Sequence, residues 1–253
     1  MLYSLRMIRS DGRRPQQVRP VRISPGYLSH AEGSALIDMG DTSVLCAVTV
    51  EDRVPRFTLG TGSGWITAEY GMLPRSTHTR TPRDTSRSSG RTHEIQRLIG
   101  RSLRSVAQLD LLGERTFVVD CDVIKADGGT RTAAISGAYV ALYQALHRLV
   151  ESGALPAVPL RCAVAATSAG LVDGIALLDL NYEEDARAAV DFNVVMTEEG
   201  EFVEVQGTGE SHPFTRETMD ELLALSETGI RQLFEAQKAA LAEAGIAPGV
   251  PSA

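Results

Sequence analysis

A β-branched run that ends in two glycines and opens onto an alanine-rich helix pattern constrains this chain more than any other stretch. Val118-Val119-Asp120-Cys121-Asp122-Val123-Ile124 has strand composition, Asp127-Gly128-Gly129 has turn chemistry, and Thr130 can cap a helix whose alanines begin at Ala133. Strand, turn and helix in that order deliver the backbone to a helix N-terminus. There the first amide N–H groups lack helical partners and the dipole is positive. An anion fits such a place, and Arg131 adds a planar fork matched to phosphate oxygens. No Lys-Ser/Thr pair follows the last glycine, so a nucleoside triphosphate loop is not implied. An ordinary Gly-rich turn is the bland alternative.

The helix predicted after Thr130 runs to about Val150 and carries no side-chain charge between Arg131 and His147-Arg148, which requires burial on most sides. With 253 residues, 43% of them hydrophobic, the chain can bury one large core or two smaller ones. Ala35 to Gly40 and Thr42 to Val50 read as strands joined at Gly40-Asp41, a hairpin that begins an antiparallel sheet. Trp65 to Tyr70 alternates like a third strand, its Trp expected in the core. Two prolines in Gly153 to Pro159 mark a boundary between units 9–152 and 159–245. Cys162 to Ser168, Ile175 to Leu180, Val190 to Met196 and Phe202 to Val205 follow as strands, and Thr215 to Ala244 as one or two closing helices. The expected class is α+β, in two lobes of related build.

No apolar run approaches the roughly 20 residues of a membrane helix, and Met1 to Met7 lacks the apolar region and cleavage site of a secretory signal. A cytoplasmic protein is expected, translated from Met1 or Met7. Cys46, Cys121 and Cys162 sit singly in apolar strand patterns, which points to buried reduced thiols rather than a disulfide or zinc site.

The net charge of −7 opposes nucleic acid, but the charges are segregated. Residues 75–104 hold eight arginines against Asp84 and Glu94, and residues 173–243 hold seventeen acids against four bases. Arg6 to Arg22 has six arginines and one aspartate, a basic arm for RNA or a neighbouring subunit, or else a solvated leader. Between Leu73 and Thr92 large apolar residues are scarce. Arg75, Arg80, Arg83 and Arg87 then make a flexible rake for a phosphodiester backbone, or simply a solvated basic loop. His93 to Leu112 has a helical apolar period with Arg97, Arg101 and Arg104 on its other faces, and Arg91 falls just before it, aimed at an anion. In the acidic half Asp179, Asp185 and Asp191 recur every six residues. Carboxylates brought together repel, raise one another's pKa, and bind a hard divalent cation or leave one protonated as a general acid. A solvated acidic face is the alternative.

Together with the Arg loop these motifs resemble the ribonuclease PH family. The resemblance is carried by Gln17-Val18-Arg19-Pro20-Val21, by Gly64-Trp65-Ile66-Thr67-Ala68-Glu69-Tyr70-Gly71-Met72-Leu73-Pro74-Arg75, and by Glu94-Ile95-Gln96-Arg97. It continues through Asp127-Gly128-Gly129-Thr130-Arg131-Thr132, Asn193-Val194-Val195-Met196-Thr197 and Glu204-Val205-Gln206-Gly207-Thr208, and covers about Arg9 to Leu241. It implies a ribosomal-protein-S5-like lobe plus a second related lobe, assembled as a hexameric ring of dimers. The implied activity is phosphorolytic 3′→5′ trimming of precursor tRNA, with inorganic phosphate as co-substrate, reversible as a tRNA nucleotidyltransferase, and with a role in rRNA processing. Carried over by motif, Arg91, Gly129, Thr130 and Arg131 would hold phosphate. Asp185 and Asp191 would be catalytic and bind Mg²⁺ or a similar cation. Arg75, Arg80 and Arg83 would meet RNA or neighbouring subunits. Ser211-His212 is no hydrolase dyad, since adjacent residues point apart. The rivals are a catalytically silent RNA-binding ring subunit, which retention of Arg91, Arg131, Asp185 and Asp191 argues against, and a small-molecule kinase, whose phosphate loop is missing.

Overall fold

A computed structural model describes residues 9–83, 89–210 and 212–246. Arg87, Ser211 and the alternative starts Met1 and Met7 lie outside the described residues.

The first sheet contains β1 (Val21–Pro25), β2 (Gly33–Met39), β3 (Thr42–Glu51), β4 (Trp65–Met72) and β5 (Thr116–Lys125). The expected hairpin is present, with Met39 opposite Thr42 and Gly40 at a φ of 56° that favours glycine. Sheet order is β1-β2-β3-β5-β4, so the expected third strand does not continue the antiparallel run. Instead β4 pairs with β5 in parallel, which requires the crossover that helix α1 (Gly90–Val106) supplies.

Helix α1 starts earlier and stops sooner than the apolar period suggests. Ser89 caps it, its hydroxyl accepting the Thr92 N–H at 3.1 Å. It stops because Ala107 turns extended and bridges Leu160, while the Gln108 N–H donates to the Pro159 carbonyl at 2.9 Å. Leu109 and Leu112 keep the helical spacing but belong to a 3₁₀ turn and the residue after it. Trp65 is only partly buried; the Arg104 guanidinium lies 4.5 Å over its ring and Phe57 meets it edge-on, so it stands at the sheet margin rather than in the core.

Helix α2 (Thr130–Glu151) is buried at every position from Thr132 to Leu146. It packs on β2 and β3 on one side and on β6 of the second sheet on the other. Small residues permit the approach: a Cβ on Gly33 would lie 2.0 Å from the Ala141 carbonyl oxygen. The second sheet contains β6 (Val164–Val172), β7 (Ile175–Leu178), β8 (Val190–Thr197) and β9 (Phe202–Gly209), in the antiparallel order β7-β6-β8-β9. A one-turn helix α3 (Tyr182–Asp185) connects β7 to β8, and one continuous helix α4 (Arg216–Glu243) closes the fold. Most buried apolar residues of both sheets form one cluster around α2, from Ile23 to Ile246, and Val172, Leu177, Leu180 and Ala188 form a small second one.

Cys46 and Cys121 are buried free thiols that face each other across β3 and β5, while Cys162 is free and half-buried. Among the described residues no helix is long and apolar enough to cross a membrane.

The N-terminal segment departs from the expected basic arm at three of its arginines, while Arg14 and Arg22 are exposed and Arg6 lies outside the described residues. Arg9, Arg13 and Arg19 are all buried. Arg9 Nε donates to Glu184 at 2.7 Å and its Nη1 to the Leu178 carbonyl at 2.7 Å. Arg19 grips Asp179 with Nε at 2.9 Å, Nη2 at 2.7 Å and its own backbone N–H at 2.7 Å. Asp179 is fully buried with a φ of 53°, so it is no member of a reacting carboxylate trio but a structural anion holding arginines from the far end of the chain.

Candidate active site

Five elements, β4, α1, α3, β8 and β9, converge at the N-terminus of α2. Gly128 and Gly129 both adopt left-handed backbone, with φ of 76° and 64°, which turns the chain out of β5 and into the helix. The N-cap is Gly129 rather than the expected Thr130, which is the first helical residue. With no side chain capping that end, the first-turn amides remain available to a ligand. The Thr130 hydroxyl lies 2.8 Å from the Tyr70 hydroxyl of β4, and Arg131 Nη1 donates to Gln206 of β9 at 3.4 Å.

Arg91 sits in the first turn of α1 instead of just ahead of it, and its side chain is exposed. Its charge acts on the Tyr70 hydroxyl and on Asp185, as does that of Arg131. The two arginines therefore look onto one space from two helices. Asp185 is the last residue of α3 and Asp191 lies in β8. Burial pushes the Asp185 carboxyl above the usual carboxylate range, helped by the Glu210 charge, against the opposing pull of Arg91 and Arg131. Burial also raises Asp191, the charge of Asp185 raises it further, and Arg131 and the Asn193 amide, 3.3 Å away, oppose the rise. Desolvation, more than the mutual repulsion expected from spacing, thus holds both carboxyls up. Of the expected trio, Asp185 and Asp191 come together and Asp179 does not.

Exposed Asp185 and half-buried Asp191, beside the N-terminus of α2, suit Mg²⁺, which is commonly held through one or two carboxylates with substrate phosphates and waters completing its shell. Among the described residues no group of three His, Cys, Asp or Glu forms a fuller protein cage. The donor set fits a cation shared with substrate.

Arg75, Arg80 and Arg83 stand exposed in the segment after β4, a placement that a rake and a solvated basic loop share. Other arginines of the basic segment serve the fold: Arg101 pairs with Glu204 at 2.6 Å and Arg104 donates to the Ile66 carbonyl at 2.8 Å.

Comparison with known proteins decides the family. Models of the 3′ exoribonuclease family match twice, domain 1 over residues 17–146 and domain 2 over residues 162–229. The ribonuclease PH of Dehalococcoides mccartyi strain BAV1 is 57% identical over 234 residues, which is 92% of this chain and 97% of that protein. The chain belongs to the ribonuclease PH family. Its fold is similar to that of the Archaeoglobus fulgidus exosome with RNA bound to the active site, at a TM-score of 0.78, 24% identity and coverage of 90% of this chain and 92% of that one. Rice Rrp46 gives a TM-score of 0.74 at 23% identity, over 92% of this chain and 100% of that one. At such identities the likeness is one of fold, two ribonuclease PH domains packed as one body.

Tyr70, Asn193 and Gln206, which contact Thr130, Asp191 and Arg131, and Glu210, whose charge acts on both carboxyls, carry no assignment from sequence. Asn193 was reachable, since it follows Asp191 by two on a strand and so shares its face. Glu210, just after β9, becomes a neighbour of the carboxylates only through the pairing of β8 with β9.

Proposed function

We propose that this chain acts as a phosphate-dependent 3′→5′ exoribonuclease, a tRNA nucleotidyltransferase that shortens precursor tRNA 3′ ends and releases nucleoside 5′-diphosphates. The observation that carries the proposal is the meeting of an uncapped helix N-terminus, two arginines and a raised carboxyl pair in a chain of this family.

In this proposal the first-turn amides of α2, Thr130, Arg131 and Arg91 hold inorganic phosphate. One phosphate oxygen attacks the phosphorus of the terminal phosphodiester. The bond from that phosphorus to the 3′-oxygen of the preceding nucleotide breaks, and the departing oxygen gains a proton. A raised carboxyl of the Asp185–Asp191 pair is suited to hand over that proton, because burial favours its neutral form. The same two carboxylates would hold Mg²⁺ or a similar cation, which when bound supplies positive charge to the reacting oxygens. Tyr70 keeps the Thr130 hydroxyl in place.

Phosphorolysis is tested by the products of a 3′-tailed RNA with and without inorganic phosphate. Nucleoside diphosphates that appear only with phosphate support the assignment, and nucleoside monophosphates released in phosphate-free buffer sink it. Arg131→Ala should raise the phosphate concentration for half-maximal rate by about 10- to 150-fold, the equivalent of a charge-assisted contact worth about 1.5–3 kcal/mol. Turnover at saturating phosphate should largely return.

The chain is proposed to work in the cytoplasm as a homohexameric ring, a trimer of dimers. A net charge of −7 opposes RNA, so the exposed loops bearing Arg75, Arg80 and Arg83 must be gathered around an axis to present a basic rim. Replacing those three arginines by Ala should weaken binding of precursor tRNA and lower the slope of log affinity against log salt by up to about 3. A wild-type monomer by light scattering that trims at full rate would overturn the ring.

A further inference from the structure

The phosphate turn and the carboxylate segment are built as one piece. The Gly128 backbone packs so tightly on the segment between β7 and α3 that a Cβ there would lie 2.6 Å from the Leu180 carbonyl oxygen. Arg19 spans both parts, gripping Asp179 while its Nη1 donates to the Asp127 carbonyl. Thr42 closes the turn from β3: its hydroxyl accepts the Asp127 N–H at 3.0 Å and donates to the Gly128 carbonyl at 2.7 Å.

Within this body the Asp127 side chain makes a bond that these backbone contacts do not explain. Its Oδ1 accepts the backbone N–H of Tyr182, the first residue of α3, at 3.2 Å. The Asn181 and Glu184 N–H groups are satisfied locally, since these two residues form a reciprocal capping box. One of the amides that this cap leaves over, that of Tyr182, is taken by a residue of the phosphate turn. Asp127 is a third exposed, and its other oxygen, Oδ2, lies 3.8 Å from Nη1 of buried Arg19. Three residues after Tyr182, at the other end of the same helical turn, stands Asp185.

We propose that Asp127 is a positioning residue that sets the distance between the phosphate cradle and Asp185 through the Tyr182 amide. The proposal rests on the assignment of Asp185 to the reacting pair. A one-turn helix is too short to absorb a shift at its start, so movement of Tyr182 carries Asp185 with it. Misplacement by about 1 Å can reduce a rate by about 100-fold.

The test measures kcat and the half-saturating phosphate concentration on a 3′-tailed RNA with full-length assembled protein. Asp127→Ala and Tyr182→Pro remove the same hydrogen bond from its two sides. Each should lower kcat by about 10- to 100-fold with half-saturating phosphate within about threefold of wild type. Proline is accepted at the first helical position, and Asn181 before it already has the extended backbone that proline requires, with φ −77° and ψ 175°. Tyr182→Pro therefore carries the test should Asp127→Ala fail to fold. The double variant should lose no more than Asp127→Ala alone, because Tyr182→Pro removes a bond that Asp127→Ala has already removed, whereas Asp127→Ala also deletes the contact with Arg19. Asp127→Asn keeps an acceptor oxygen and Tyr182→Ala keeps the N–H, so both should stay within about threefold of wild-type kcat. Wild-type kcat in Tyr182→Pro, multiplying losses in the double variant, or a defect confined to half-saturating phosphate would each overturn the proposal. A wild-type enzyme that released no nucleoside diphosphate with phosphate would overturn the activity assignment instead.

Discussion

Asp191→Asn should lower phosphorolytic turnover by about 100- to 10,000-fold, the usual contribution of a placed proton donor or acceptor, while RNA binding is retained. Asn has nearly the same shape, so the loss isolates charge and proton from packing. The same change should stabilise the protein in metal-free buffer at neutral pH. Burial and the Asp185 charge raise the folded-state pKa of Asp191 above its ordinary value of 3.8, so the native state binds that proton more tightly than the unfolded chain does. Stability therefore falls as pH rises from 3.8 through the raised value, and stays lowered above it. The amide escapes that penalty. Its advantage in thermal midpoint should be full at neutral pH and shrink as the solution is acidified toward 3.8. A variant that turns over at near-normal rate would remove Asp191 from the reaction; one less stable than wild type at neutral pH would contradict the electrostatic account.

Asp179→Ala should destabilise the protein by about 3–5 kcal/mol, the loss expected when one partner of a buried ion pair is deleted. Arg19 would keep its charge, with 3% of its side chain exposed and only the more distant Asp127 carboxylate, 3.8 Å from its Nη1, to meet it. Arg13, also buried, would lose an acceptor at 3.4 Å. Alanine is also less suited than aspartate to the left-handed backbone, φ 53°, at this position. Out of a total stability of about 5–15 kcal/mol the loss is large, and the thermal midpoint should fall by about 6–20 °C. A drop of less than about 1 kcal/mol in denaturant unfolding would mean that the arginines find other partners.

The two aspartates show where sequence is informative and where it stops. A spacing of six residues treats Asp179, Asp185 and Asp191 alike, and nothing local separates them. What separates them is Arg19, which lies 160 positions away in sequence from Asp179 and is brought in only by the completed fold. The same distance explains why Arg9 and Arg13 read as a basic arm although they are interior residues. Local chemistry was legible: the hairpin at Gly40-Asp41, the double-glycine turn and the uncharged α2 all follow from periodicity and turn residues. Long-range pairing was not. The parallel contact of β4 with β5 and the bridge from Ala107 to Leu160, which ends α1 ahead of its apolar period, leave no local trace. At the active site the charged residues announced themselves through motifs, whereas Tyr70 and Glu210 reach it through strand pairing.

Because α2 is the common wall of both sheets, the stretch from Gly153 to Pro159 is a seam inside one cooperative unit. Severing the chain there would leave two open half-interiors, one with a bare apolar helix and the other with the bed it had filled. Neither could persist in water by itself. Packing on either side of that seam is therefore coupled: a larger side chain on β6 must be answered on α2, and through α2 on β2 and β3. The chain carries two sheets but should show only one melting event.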